Sequence, residues 1–300
     1  MGALRYQWDS KNPGADSLRI RFDPCTRSPK ELKEELYAAA RAITNRAKRA
    51  IWICAGGGLY SEVACRAFYD QGIHFSVLTL EHSSAEPVGA DRMSRWCRER
   101  AIPQKVIRFD TFGFLGSDME TYKRYVTPDP GRYFQIKLMQ LVEEMEGYAV
   151  LGSGAQVYRV DARKPCITRA DLYLEFSTGS VAPLAWCTDN GLSHEPYFHF
   201  ATPELCLSYE RFPLIAQALN EPDPLFRHTA NTHLLRRIVY QSLWPDMEVR
   251  RQSSYLQEAG AAYGSASERL RDRFAGRFGK VEVPLSVFER QLLGTASALS

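Results

Sequence analysis

Apolar and polar positions along the chain alternate first at the spacing of strands, then settle into a strand–helix rhythm. Residues 4–9 and 17–22 (Leu-Arg-Tyr-Gln-Trp-Asp and Ser-Leu-Arg-Ile-Arg-Phe) flank Lys11-Asn12-Pro13-Gly14, which predicts an N-terminal β-hairpin. Ser28-Pro29-Lys30-Glu31 reads as a helix start with Ser28 as N-cap, and Leu32, Leu36, Ala39 and Ile43 give that helix an apolar face running to about Lys48. From Arg49 the pattern predicts strands at 50–54, 74–80, 104–109 and 147–151, alternating with helices at 61–71, 87–101 and 132–146. Alternation of short apolar strands with amphipathic helices implies an α/β fold, a doubly wound parallel sheet covered on both faces. After about residue 160 the rhythm changes. Asp171–Phe176 and Val181–Cys187 read as a second hairpin, and 203–219, 223–243, 263–278 and 284–299 as a mainly helical C-terminal region. The chain thus divides into residues 1–158, an α/β domain with its hairpin, and residues 159–300, a hairpin plus helices.

Composition narrows the setting. The apolar and charged fractions, 45% and 24%, are those of an ordinary globular protein, and a net charge of +3 gives no ground for nucleic acid or a membrane as partner. No apolar run is long enough to span a bilayer, and the start, Met-Gly-Ala-Leu-Arg-Tyr, has neither a signal-peptide core nor the Ser or Thr of a myristoylation pattern. Seven scattered cysteines (25, 54, 65, 97, 166, 187, 206) without a Cys-x-x-Cys read as reduced, mostly buried thiols, so a cytoplasmic protein is expected and a cysteine-based metal site is not.

The chemistry concentrates in Ile51-Trp52-Ile53-Cys54-Ala55-Gly56-Gly57-Gly58-Leu59-Tyr60-Ser61. An apolar strand ends in three glycines, whose missing Cβ atoms allow a tight turn and close approach to a ligand. Ser61 then opens the next helix, where unpaired amides and the helix dipole favour an anion, most often a phosphate. A dinucleotide fingerprint lacks its last glycine here, and a Walker A lysine is absent. The remaining alternatives are another nucleotide-binding loop and a plain glycine-rich turn of a doubly wound protein.

The strand–glycine loop–helix at 51–71, the strand after it, and Gly152 behind the fourth strand together resemble the PP-loop ATP pyrophosphatase (adenine nucleotide alpha-hydrolase-like, or HUP-like) superfamily. Its members include 7-cyano-7-deazaguanine synthase and asparagine synthetase. The signature Ser-Gly-Gly-x-Asp-Ser aligns with Gly56-Gly57-Gly58-Leu59-Tyr60-Ser61, so Gly57, Gly58 and Ser61 match while Gly56 replaces a serine and Tyr60 the aspartate. The resemblance covers roughly residues 49–155. It implies that ATP binds with Mg²⁺ bridging its phosphates, and that a small substrate, a carboxylate by preference, is adenylylated with release of pyrophosphate. It places Ala55, Gly56, Gly57, Gly58, Leu59 and the Ser61 hydroxyl around the pyrophosphate, with Ser61 and Tyr60 at the reacting centre. Leu80 and Glu81 would border adenine and ribose, and Gly152 and Ser153 would flank the α-phosphate. Tyr60 cannot replace a metal-ligating carboxylate, so the rival reading is a degenerate PP-loop domain kept as a nucleotide-binding or protein-interaction module. Residues 160–300 would supply the substrate pocket and a homo-oligomer contact in the enzyme reading, and a protein-partner surface in the rival one.

Other polar features read as structural first. His194-Glu195-Pro196-Tyr197-Phe198-His199 does not have helical zinc-site spacing, and His228 and His233 fall on different helix faces. Asp189-Asn190-Gly191 is a turn signal. Glu81-His82 at a strand end reads equally as a ribose or metal contact and as a solvated end. The late arginines (236, 237, 250, 251, 269, 271, 273, 277) alternate with acids and suit a solvated helix surface rather than a tRNA-binding face.

Overall fold

The computed structural model describes residues 2–8, 18–82, 88–153, 158–160, 169–221, 233–248, 259–277 and 279–295. Strands β1 (Leu4–Trp8) and β2 (Leu18–Phe22) pair antiparallel, Leu4 opposite Phe22 and Trp8 opposite Leu18, as the alternation predicts. The Lys11–Gly14 turn lies outside the described residues. Helix α1 (Leu32–Arg46) starts later than the Ser28 signal, with Glu31 in the N-cap position. The buried Glu35 carboxylate is the cause. It accepts from both Arg27 Nη atoms and from the Lys30 amide, all at 2.6 Å, and so holds residues 27–30 in an irregular turn.

The central sheet follows from four short apolar runs. Strands β3 (Ile51–Cys54), β4 (Ser76–His82), β5 (Gln104–Phe109) and β6 (Tyr148–Leu151) are all parallel, in the order β5-β4-β3-β6. Their crossovers carry α2 (Leu59–Asp70), α3 (Val88–Glu99), the short α4 (Thr111–Gly116), a 3₁₀ turn at Asp118–Tyr122, and α5 (Pro130–Glu143). The pleat sends Ile51, Ile53, Val77, Tyr148 and Val150 into one core with α1 and α2. It sends Cys54, Leu78, Leu80, Ala149 and Leu151 into a second core with α4 and α5. Both faces of the inner strands β3 and β4 and of β6 are therefore covered, which is why these three read as largely apolar runs, while β5 at the edge, with Lys105, Val106 and Arg108 exposed, is mixed. Glu195 extends the β6 edge by two backbone bonds, and its buried carboxylate accepts from Arg46 Nη2 at 2.8 Å.

A second, antiparallel sheet has the order β7-β8-β9, from β7 (Tyr158–Val160), β8 (Leu172–Ser177) and the distant β9 (Lys280–Pro284). Here the sequence reading needs correction, because residues 181–187 form no hairpin strand. They lie in helix α6 (Thr178–Asp189), opened by a reciprocal box in which Ser177 Oγ accepts from the Ser180 amide and Ser180 Oγ from the Ser177 amide. Val181, Ala182, Leu184, Ala185, Trp186 and Cys187 are all buried, so this helix is apolar all round and shows no 3.6-residue stripe. The α6 end turns through Gly191 at φ +66°, where the Asp-Asn-Gly signal stood.

Pro213 divides the predicted 203–219 helix into α7 (Pro203–Arg211) and α8 (Pro213–Asn220). Helices α9 (His233–Leu243), α10 (Gly260–Arg273) and α11 (Leu285–Leu292) follow. Strand β9 and α11 return to the first hairpin: Gln291 Oε1 accepts from the Phe22 amide at 3.0 Å, Leu292 O from the Cys25 amide at 2.7 Å, and Phe288 meets Phe22 edge-on. His228, Arg250, Arg251, Cys166 and Gly154 lie outside the described residues. The six described cysteines are free thiols, five of them buried. Among the described residues no helix is long and apolar enough to cross a membrane.

Candidate functional site

The glycine loop leaves β3 at the carboxyl edge of the sheet and is fastened there from both sides. Ala55 donates its amide to Leu78 O at 2.9 Å and accepts from Thr79 Oγ1 at 2.8 Å. Gly57 adopts φ +80°, a left-handed conformation that only glycine takes without strain. Its carbonyl accepts from Arg92 Nη2 of α3 at 2.5 Å, and the same nitrogen donates to the buried Glu62 carboxylate at 2.5 Å. Glu62 also receives Arg66 Nε at 3.0 Å.

Helix α2 begins at Leu59, two residues before Ser61, with Gly58 as N-cap. The first-turn amides, which have no intrahelical carbonyl to bond, are therefore those of Leu59, Tyr60 and Ser61. The Ser61 hydroxyl donates back to Gly58 O at 3.0 Å, so it braces the turn as well as facing the cavity. Across the sheet, Gly152 follows β6 at very close range. A Cβ on Gly152 would stand 2.5 Å from the Ser61 amide nitrogen, closer than any real side chain sits.

A cavity of about 580 Å³ opens over this loop, within the ordinary range for small-molecule sites. Of the residues singled out in the sequence, Ala55, Gly56, Gly58, Leu59, Tyr60 and Ser61 line it from the loop. Leu80, Gly152 and Ser153 line it from the neighbouring strand ends. Gly57 and Glu81 do not: Gly57 shapes the turn from behind, and the Glu81 carboxylate points to the Arg108 Nε, 3.6 Å away. Its neighbour His82 lines the cavity instead, with Nδ1 3.0 Å from Thr111 Oγ1. The apolar walls include Cys54, Leu78, Phe134 and Leu138, a surface suited to a flat ring. Burial pushes the Cys54 thiol up to about 12, which leaves it inert at neutral pH.

The N-terminus of α5 closes the opposite side. Asp129 caps it by accepting from the Gly131 amide at 2.8 Å, and Arg132 and Gln135 project into the same cavity with 3.2 Å between Arg132 Nη1 and Gln135 Oε1. These residues carry no local motif and were not singled out in the sequence. The one available signal was Asp129-Pro130, an N-cap before a proline at the first helical position.

Tyr60 stands at the inner edge of the cavity and is held from several directions. Its hydroxyl accepts from Arg236 Nη1 of α9 at 2.5 Å, and its ring meets His199 and Tyr240 edge-on. The Arg236 side chain is 7% exposed. The histidines of the 194–199 cluster are buried and structural. Burial lowers His199 to about 3 and His194 to about 4, so both are neutral near pH 7. His199 Nδ1 is 3.2 Å from the Tyr240 hydroxyl, and His194 Nδ1 accepts from the Ala149 amide at 3.1 Å.

The donor set does not fit a divalent cation held by the chain. Among the described residues Asp129 is the single carboxylate lining the cavity, and it is already engaged by the Gly131 amide, the Tyr263 hydroxyl and the nearby Arg132. Among the described residues no group of three His, Cys, Asp or Glu side chains could hold a metal ion.

No family model and no curated protein matches the sequence. Among solved structures the chain is similar to an NMN synthetase from Francisella tularensis, at 10% identity and a TM-score of 0.34 over 84% of this chain and 96% of that one. A U34-tRNA thiolase, NcsA, from Methanococcus maripaludis with its 4Fe-4S cluster shows 11% identity and a TM-score of 0.34 over 81% and 79% of the two chains. A glutamine-dependent NAD+ synthetase from Acinetobacter baumannii in complex with ADP shows 12% identity and a TM-score of 0.35, over 87% of this chain and 49% of that one.

Proposed function

We propose that the chain binds ATP with its triphosphate on residues 56–61 and adenylylates a small carboxylate substrate, releasing pyrophosphate. The observation that carries this reading is the cavity of about 580 Å³, which joins a first-turn amide cluster to apolar walls. In this reading the backbone amides from Gly57 to Ser61 and the Ser61 hydroxyl receive the pyrophosphate, with Ala55 and Gly56 leading into the cradle. Leu80, with Leu78 and Phe134 beside it, borders the adenine, and Glu81 marks the ribose edge of the same strand. Gly152 and Ser153 flank the α-phosphate. A substrate carboxylate oxygen forms the new bond to the α-phosphorus while the bond to the pyrophosphate oxygen breaks and its electrons leave with pyrophosphate. Residues 1–158 hold the nucleotide, and residues 159–300 shape the acceptor pocket. Positioning and charge neutralisation provide most of such catalysis, and Arg132 is placed to neutralise charge where a chain-held metal is not supported.

Tyr60 supports a second reading, a nucleotide-binding or assembly module that does not turn ATP over. The phenol occupies the position of the family's aspartate, and Arg236 holds it there. Leu234 and Ile238, one helical turn apart on α9 and 62% and 44% exposed, would then face a protein partner or a second copy. The setting in both readings is the cytoplasm.

Calorimetry with ATP, with and without Mg²⁺, paired with a pyrophosphate-release assay separates them. Binding with release across a panel of carboxylates supports the enzyme. Binding without release supports the module, and no binding rejects both.

A further inference from the structure

A second cavity, of about 280 Å³, adjoins the first on the side of the antiparallel sheet. Tyr60, Arg132 and Ser153 line both, so one layer of side chains separates the two spaces. The far wall comes from elements outside the nucleotide site. Leu174 and Phe176 of β8 and Phe200 are apolar, while Arg236 contributes a buried guanidinium. The polar groups nearby are largely committed to one another. Tyr197 donates to Ser180 O, Ser153 Oγ donates to Pro196 O at 2.6 Å, and Glu175 pairs with Lys280 Nζ at 3.0 Å.

From this arrangement we infer that the second cavity is the acceptor subsite and selects a small aromatic carboxylate, with Arg236 as its specificity-determining residue. The inference rests on the nucleotide reading of the larger cavity and names its co-substrate class. Three physical points support it. The volume holds roughly nine waters, enough for one six-membered ring with a single carboxylate. Two guanidiniums, Arg132 and Arg236, line it; Arg132 lies 3.6 Å from Asp129, and Glu175, the one acid among the described lining residues, is offset by Lys280, so the buried Arg236 gives the wall its preference for an anion. Its shared wall ends at Ser153, beside Gly152, where the α-phosphate would sit. A carboxylate seated on Arg236 and Arg132 therefore presents an oxygen toward the first cavity while its ring packs on Leu174, Phe176 and Phe200. Tyr60 acts here as a positioning residue: it accepts from Arg236 and fixes the guanidinium at the boundary of the two spaces.

The test uses the full chain, a non-hydrolysable ATP analogue followed by calorimetry, and saturation-transfer NMR with three probes: benzoate, benzyl alcohol and acetate. Benzoate is expected to bind roughly tenfold or more tighter than benzyl alcohol, the ordinary worth of a charge-assisted hydrogen bond, and tighter than acetate, which lacks the ring. In Arg236→Gln the preference for benzoate over benzyl alcohol should vanish. Benzyl alcohol binding as well as benzoate to the unaltered chain overturns the inference without any variant, which covers the case of a misfolded Arg236→Gln. Arg132→Gln, at a partly exposed position, should weaken benzoate in the same direction. Analogue binding without benzoate binding overturns the subsite and leaves the nucleotide reading standing. Benzoate binding without analogue binding overturns the nucleotide reading and the acceptor role with it.

Discussion

At the scale of single residues, Tyr60 and Gly152 have the sharpest consequences. Tyr60 looks in the sequence like a lost carboxylate. In the structure it is a fixed hydrogen-bond acceptor for a buried arginine, which no local pattern could disclose because Arg236 is 176 positions away. Tyr60→Phe removes that acceptor and should destabilise the fold by about 1–3 kcal/mol, read as a lower urea midpoint with an unchanged slope. An unaltered midpoint would show that Arg236 needs no phenol. Tyr60→Asp tests the chemistry instead: pyrophosphate release should appear or rise if a carboxylate at this position is what turnover lacks. Intact ATP binding with no release would favour the module. Gly152→Ala is expected to cost about 1–3 kcal/mol through overpacking, because the new methyl meets the Ser61 amide, and to weaken ATP binding at the same time. Equal stability and affinity in that variant would mean the β6 end can back away from α2.

At the scale of elements, the strands were legible and the ties between elements were not. Ile51–Cys54 and Tyr148–Leu151 stand where their apolar runs put them, since a strand buried on both faces has little other way to read, and Gln104–Phe109 stands at the predicted place although it is an edge strand with Lys105, Val106 and Arg108 exposed. The 181–187 segment misleads for a related reason. A helix buried all round loses its amphipathic stripe and looks like a strand, and only the Ser177–Ser180 box betrays its start. Within the candidate site, the loop glycines and the ends of β4 and β6 were readable, because backbone freedom is written in glycine. Arg132 and Arg236 were not, since each gains its place through packing, and Asp129 was legible as a helix cap before Pro130 and not as part of a site. Arg92 is the clearest such tie. It joins α3 to the Gly57 carbonyl and to the buried Glu62 at once. Arg92→Met should leave Glu62 paired with Arg66, 3.0 Å away, lower stability by about 1–3 kcal/mol and weaken ATP binding, because the loop loses its rear support. Calorimetry that finds the variant's affinity unchanged would detach α3 from the loop's function.

At the scale of the whole molecule, two buried histidines tie stability to pH. Burial holds His194 at about 4 and His199 at about 3, both below the ordinary 6.5. Between those values and 6.5 the unfolded chain binds protons that the folded chain refuses, so stability rises with pH across that window and is lost as pH falls through it. Each histidine contributes up to about 1.4 kcal/mol per pH unit there. Urea unfolding at pH 5 and pH 7 checks the sign, and His194→Gln should flatten the slope; a stability independent of pH over this range would contradict the burial of both rings. The return of β9 and α11 to the first hairpin has a different kind of consequence, one of time. Phe22 and Gln291 bond across 269 positions, so on a ribosome the hairpin is made long before the segment that closes over it. At ordinary translation speeds that interval is roughly ten seconds to a minute. Throughout it, Phe22 and the β8 edge lack the β9–α11 cover they have in the folded protein, and the nascent chain has to be shielded from its neighbours until Lys280–Leu292 arrive.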